Sequence, residues 1–162
     1  MVDSRLFRDV AGRFATGVTV VTWRSRGAYQ GLTANAVSAL SLEPTLFLVC
    51  IDDSSSKYSA LSEAGRFAVN VLAADQEEVS RFFAQSTPEQ GDPMGGFAYR
   101  TSDQGSPLLD GALAWLDCTT QAVLDGGDHK IFIGAVEGCA IEDPVRAPLL
   151  FYGGEYREIR PE

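Results

Sequence analysis

His129 is the single histidine of the chain, and it directly follows Asp125-Gly126-Gly127-Asp128, a strong turn signal. One histidine excludes metal centres built on several, and no metal is expected. At the mouth of a strand an imidazole can stack on a ring or donate a hydrogen bond to a carboxamide; otherwise it is a surface or capping residue. Lys57 follows the cluster Ser54-Ser55-Ser56, where the sequence places the start of a helix. A cation in a first helical turn opposes the macrodipole. The arrangement turns favourable when an anion binds between the ammonium, the serine hydroxyls and the free backbone N–H groups. The alternative is a solvated lysine beside Asp52 and Asp53. Thr33-Ala34-Asn35-Ala36-Val37-Ser38 is small and polar where a strand normally carries bulk. Such a row lets a flat ligand approach the backbone, although ordinary strand ends look the same. Phe151-Tyr152 reads as core rather than site.

Other chemistries are removed by what the chain lacks. It has sixteen glycines, yet no two are spaced as G-x-G, so a Rossmann fingerprint is absent. Neither a G-x-S-x-G elbow nor a Walker loop occurs. The three cysteines, Cys50, Cys118 and Cys139, are widely spaced in apolar stretches, which predicts core thiols in a reducing compartment. A net charge of -9 argues against nucleic-acid binding, which needs clustered Lys and Arg. No apolar run approaches the ~18 residues of a membrane span, and the N-terminus lacks the apolar core of a signal peptide. A cytoplasmic protein is expected.

These residues need a scaffold, and the pattern supplies one. Leu6, Phe7, Val10, Ala11 and Phe14 recur at helical spacing, with Asp3 or Ser4 as cap. Strands are predicted at residues 18–23, from the hairpin at 24–27 through about 37, and at 46–51, 66–72, 112–124, 130–141, 149–152 and 156–159. A helix runs from the serine cluster to Gly65, and another starts at Asp75, with Asp75 and Glu78 in capping-box spacing and Val79, Phe82 and Phe83 inward. Residues 85–106 read as one long loop, functional or mobile. Six to eight strands with three helical inserts and no linker predict one domain over residues 1–162. The class is mainly β, an antiparallel barrel; the last third lacks the strand–helix alternation of a doubly wound fold.

In this order and spacing the segments resemble the short-chain flavin reductases, the reductase components of two-component flavin-dependent monooxygenases. The anchors are Phe14-Ala15-Thr16-Gly17-Val18-Thr19-Val20-Val21-Thr22, Gly31-Leu32-Thr33-Ala34-Asn35-Ala36-Val37-Ser38, Arg66-Phe67-Ala68-Val69-Asn70-Val71-Leu72 and Gly127-Asp128-His129-Lys130-Ile131-Phe132-Ile133-Gly134. The resemblance implies an FMN-binding split β-barrel, usually a homodimer, that reduces FMN (or FAD) with NADH (or NADPH) and releases it to a partner monooxygenase. It implies that Thr33, Ala34, Asn35 and Ser38 line the isoalloxazine, followed by Cys50, Ile51 and Asp52. Ser54, Ser55 and Lys57 would hold the phosphate, Arg81 and Phe82 would stand near the flavin, and His129 with Tyr152 would meet the nicotinamide. Hydride would pass between the cofactors, with no residue essential as an acid or base. Leu32, Ala36-Val37 and the loop at 85–99 depart from the commoner family pattern. The alternatives are another split-barrel flavoprotein, such as a pyridoxamine-phosphate-oxidase-like enzyme, or a non-catalytic flavin-binding protein.

Overall fold

Seven antiparallel strands form the main sheet: β2 (Thr19–Ser25), β3 (Ala28–Ala34), β4 (Val37–Leu42), β5 (Thr45–Asp52), β6 (Arg66–Val71), β9 (Ala114–Asp125) and β10 (His129–Ile141). The remaining strands are β1 (Thr16–Gly17), β7 (Tyr99–Thr101), β8 (Pro107–Leu109), β11 (Leu150–Tyr152) and β12 (Glu155–Arg157). The helices are α1 (Ser4–Ala11), α2 (Tyr58–Ala64) and α3 (Glu77–Phe83). The computed structural model describes residues 2–86 and 91–159.

The order across the main sheet is β3-β2-β6-β9-β10-β5-β4. β3 and β4 therefore occupy opposite edges, yet only Asn35-Ala36 separate them in the chain. A two-residue link cannot cross a flat seven-stranded sheet, so the sheet has to curl until its edges meet. That is the split β-barrel of the sequence reading, left open along the β3–β4 edge.

Apolar side chains fill both faces of the central strands. Val21 and Trp23 of β2 join Phe67, Val69, Val49, Ile51 and Phe132 in the barrel interior, closed by Leu61 of α2. On the other face Val20 packs with Val18, Leu72, Val79, Phe83, Met94 and Leu149. β2 is covered on two sides, which is why Thr19-Val20-Val21-Thr22 reads as an unbroken β-branched run rather than an alternating one. The hairpin between β2 and β3 turns on Arg26 and Gly27, both at positive φ (50° and 84°), the twist-matched two-residue connection.

Several sequence expectations need revision. The strand expected through Val37 ends at Ala34, and beyond the Asn35-Ala36 break lies β4, a strand that the sequence pattern did not predict. The helix expected from the serine cluster begins only at Tyr58, with Lys57 at its cap position, and ends as expected at Gly65 in a left-handed conformation. The Asp75–Glu78 capping box does not form. A short 3-10 turn, Ala74–Gln76, precedes α3, and Gln76 Oε1 accepts the Ala73 N–H at 3.0 Å, while Asp75 pairs with Arg146. Residues 85–106, read as a plain loop, partly lie outside the described residues. The described part holds Met94, 1% exposed, Phe97 stacked edge-on to Phe82, and β7, which pairs with β8 just beyond it; strands of three residues are too short to show a period. Cys139, expected as a core thiol, is exposed. No described helix is long and apolar enough to cross a membrane.

Candidate functional site

A cavity of about 430 Å³ lies where the curled sheet fails to close. Its walls are the end of β3 with the Asn35-Ala36 link, the end of β5, the turn carrying Ser54, Ser55 and Ser56, Lys57, His129 at the start of β10, and residues 83–86 at and beyond the end of α3. The β5–β10 ladder sets His129 directly opposite Asp52. One rung crosses the strand break: the Cys50 N–H donates to Ala36 O at 2.8 Å.

Several polar wall groups have defined commitments. Thr33 Oγ1 donates to Ser80 O at 2.6 Å, tying β3 to α3. Thr19 Oγ1 donates to Ala34 O at 2.6 Å, and Asn35 Nδ2 donates to Thr16 Oγ1 at 3.2 Å, which leaves the Asn35 amide oxygen to accept. Asp52 Oδ1 accepts from the Ser54 hydroxyl at 2.6 Å and the Ser54 N–H at 2.9 Å, and these two bonds hold its carboxyl below the usual range. Ser55 Oγ accepts the Lys57 N–H at 3.3 Å, so its own proton is left to donate. His129 Nδ1 lies 2.7 Å from Asp128 Oδ1, which orients the ring and leaves Nε2 outward. Burial pushes the Cys50 thiol up, away from the reactive thiolate.

Lys57 departs most from expectation. Its side chain turns off the helix cap and inward, leaving the residue 6% exposed. Nζ donates to two main-chain carbonyls, Gly31 O at 2.8 Å and Phe83 O at 3.0 Å, and no carboxylate among the described residues pairs with it. Burial pushes the amine down to about 8. Gly31 has to be bare for this approach, because a Cβ there would sit 2.8 Å from the Phe83 ring.

Of the residues singled out from sequence, Thr33, Ala34, Asn35, Cys50, Ile51, Asp52, Ser54, Ser55, Lys57 and His129 share this cavity. Four do not line it. Ser38 is exposed on β4 and donates to Ala39 O. Arg81 pairs with Glu77 and lies over the Tyr156 ring. Phe82 packs on Phe83 and Phe97, and Tyr152 sits on β11 at the half-exposed surface. The sequence reading missed Phe83, Ala84, Gln85 and Ser86 as wall residues; nothing local marks a helix end that a distant lysine will draw in. A second, more apolar cavity of about 740 Å³ adjoins the first, sharing Asn35, Ala36 and Cys50 and reaching Phe14, Val37, Leu48 and Phe151.

The walls thus combine a small-residue strand end, an imidazole and a buried ammonium that no described carboxylate pairs with, a fit for a flat heteroaromatic carrying a phosphate. Known proteins agree with that chemistry. The chain is 43% identical to the reductase subunit HsaB of a flavin-dependent monooxygenase from Mycobacterium tuberculosis, over 99% of this chain and 85% of the relative. It is 39% identical to the FMN reductase (NADH) SmoA of Agrobacterium fabrum, over 95% and 85%. The solved NADH:FAD oxidoreductase SgcE6 of Streptomyces globisporus superposes with a TM-score of 0.92 at 38% identity, covering 100% of this chain and 98% of that one. The family model described as a flavin reductase like domain matches residues 11–160, and with the split barrel and its cavity already in hand, the chain belongs to the flavin reductase family.

Proposed function

We propose that the chain is an NADH-dependent flavin reductase that takes FMN as a substrate into the cavity at the split and releases it reduced to a partner monooxygenase. The observation that carries this reading is the Lys57 ammonium, buried in the cavity wall on two neutral carbonyls. A charge in that position is unfavourable until an anion reaches it. Ser55, with a hydroxyl proton to donate, stands beside it; Ser54 joins only by turning its hydroxyl from Asp52. Thr33, Ala34 and Asn35 present a strand end without bulk, so a flat ring can lie against the backbone. A flavin held there supplies the hydride acceptor for the reduced nicotinamide.

The remaining work belongs to the protein. His129, held by Asp128, borders the same cavity and would meet the carboxamide of the nicotinamide. The walls would hold the two ring systems against each other, which would supply proximity and orientation. No side chain has to move a proton. Of the four residues away from the wall, Tyr152 is assigned to the nicotinamide side, in the larger adjoining cavity's neighbourhood; Ser38, Arg81 and Phe82 act on the site only through the strand and helix that carry them.

The domain spans residues 1–162 and works as a homodimer in the cytoplasm, where NADH is available. Phe7 of α1 is 66% exposed, and Leu6 and Val10 of the same helix and Phe14 just beyond it are exposed too, apolar side chains that a second copy would cover. The deciding experiment is oxidation of NADH and NADPH with excess FMN, FAD and riboflavin. Steady turnover, and loss of yellow colour on desalting, are expected. A flavin that stays bound through desalting, with no turnover of added flavin, would overturn the reading.

A further inference from the structure

Lys57 is the only lysine or arginine among the described residues lining the cavity, and Asp52 is the only carboxylate. The two are not paired: Asp52 Oδ1 is taken by Ser54, and the Lys57 ammonium rests on the carbonyls of Gly31 and Phe83. An ammonium has three N–H donors, so one remains for whatever enters. The wall therefore offers a full positive charge with one open donor, and the strength of its attraction depends on how much negative charge a ligand places there.

Flavins differ in this respect. The terminal phosphate of FMN is a monoester, with a second ionisation near pH 6 and a charge close to -2 at neutral pH. The phosphate next to the riboflavin in FAD is part of a pyrophosphate and carries a single charge, and riboflavin carries none. We propose that Lys57 is the specificity-determining residue of this cavity, selecting flavins that end in a phosphate monoester over the dinucleotide. The proposal rests on the reading of the cavity as a flavin site. Family membership does not decide the matter, since relatives of similar identity are named as an FMN reductase and as an FAD reductase. Burial, which holds the amine near 8, adds a handle: deprotonation within an accessible pH range should erase the selection.

The test is equilibrium titration of apo-protein with FMN, FAD and riboflavin, followed by flavin fluorescence at pH 7 and pH 9.5, for the wild type and Lys57→Met. The wild type at pH 7 should bind FMN on the order of tenfold tighter than FAD, as one additional charge near a screened ammonium would give. The ratio should fall towards one at pH 9.5 and in Lys57→Met at both values, with riboflavin affinity little changed. Asp52, Cys50 and His129 line the same wall for both flavins, so their charges cancel in the ratio. The second phosphate ionisation raises the charge of FMN with pH and works against the expected fall. If Lys57→Met does not fold, the wild-type pH pair decides alone. An FMN-to-FAD ratio that is near one at pH 7, or that is unchanged at pH 9.5, overturns the proposal. Binding of no flavin at all overturns the flavin site itself, and the selection with it.

Discussion

Replacing Lys57 by Met should change how the stability of the apo-protein depends on pH. An exposed lysine titrates near 10.5, and burial holds this one near 8. Between these values the unfolded chain binds a proton that the folded chain does not, so stability rises with pH through the window. Each unit is about 1.4 kcal/mol, so the native state at pH 7 carries a penalty of roughly 3 kcal/mol that is removed by about pH 10.5. Lys57→Met abolishes this slope. It also leaves the Gly31 and Phe83 carbonyls without their donor, a cost of about 1–3 kcal/mol that does not vary with pH. Urea unfolding of both proteins in steps from pH 7 to 10.5 measures the difference, in which other titrating groups cancel. Wild type minus variant should grow in favour of the wild type by about 3 kcal/mol across the range. Saturating FMN should move the window upward, because a bound phosphate favours the protonated amine. A difference that stays flat within about 0.5 kcal/mol would show that the ammonium is not buried without a counter-charge, and the argument for an anion in the cavity would go with it.

Three further outcomes are expected. His129→Ala should raise the KM for NADH by roughly tenfold, the loss of about one good hydrogen bond, and leave the flavin Kd within about twofold; a collapse of flavin affinity with an unchanged KM would refute the nicotinamide assignment. Gly31→Ala forces a methyl against the Phe83 ring at 2.8 Å and should cost about 1–3 kcal/mol in denaturant unfolding, with weaker FMN binding because the Lys57 acceptors shift; an unchanged midpoint would mean that β3 and α3 separate freely. Val10→Asp, among the exposed apolar residues of α1, should convert the proposed dimer to monomer in sedimentation analysis. A wild type that sediments as a monomer at micromolar concentration would remove the dimer from the account.

β4, exposed along most of its length, gave no signal, but the rest of the main sheet was legible in the sequence because its strands are rich in β-branched and apolar residues and because the Arg26-Gly27 and Gly126-Gly127 turns punctuate them. The interruption at Asn35-Ala36 was not. Small polar residues continue a strand as readily as they break it, and only the need to carry the chain from one sheet edge to the other sets the break. The cavity-lining residues from β3, β5 and the serine turn were recovered largely through resemblance to the flavin reductases; residue types alone left Lys57 and His129 ambiguous. The direction of Lys57 was invisible because its acceptors are main-chain carbonyls on β3 and α3, which have no residue signature. Met94 and Phe97 were overlooked for the same kind of reason: single apolar residues among glycines and prolines show no period, yet both pack against the outer core.

The order of strands also has a consequence for how the protein comes to exist. The outer face is stitched by contacts between distant segments, such as Thr22 donating to Pro107 O across 85 residues, and His129 meets Asp52 only when β10 docks on β5. Loop closures of that span are slow, and they come late on the route to the native state. The cavity is made from both sides of such a closure, so a partly synthesised or partly folded chain holds Lys57 and the serine turn without the wall that faces them. Flavin should then act on folding as a trap for the finished barrel, slowing its unfolding while leaving the rate of its formation unchanged.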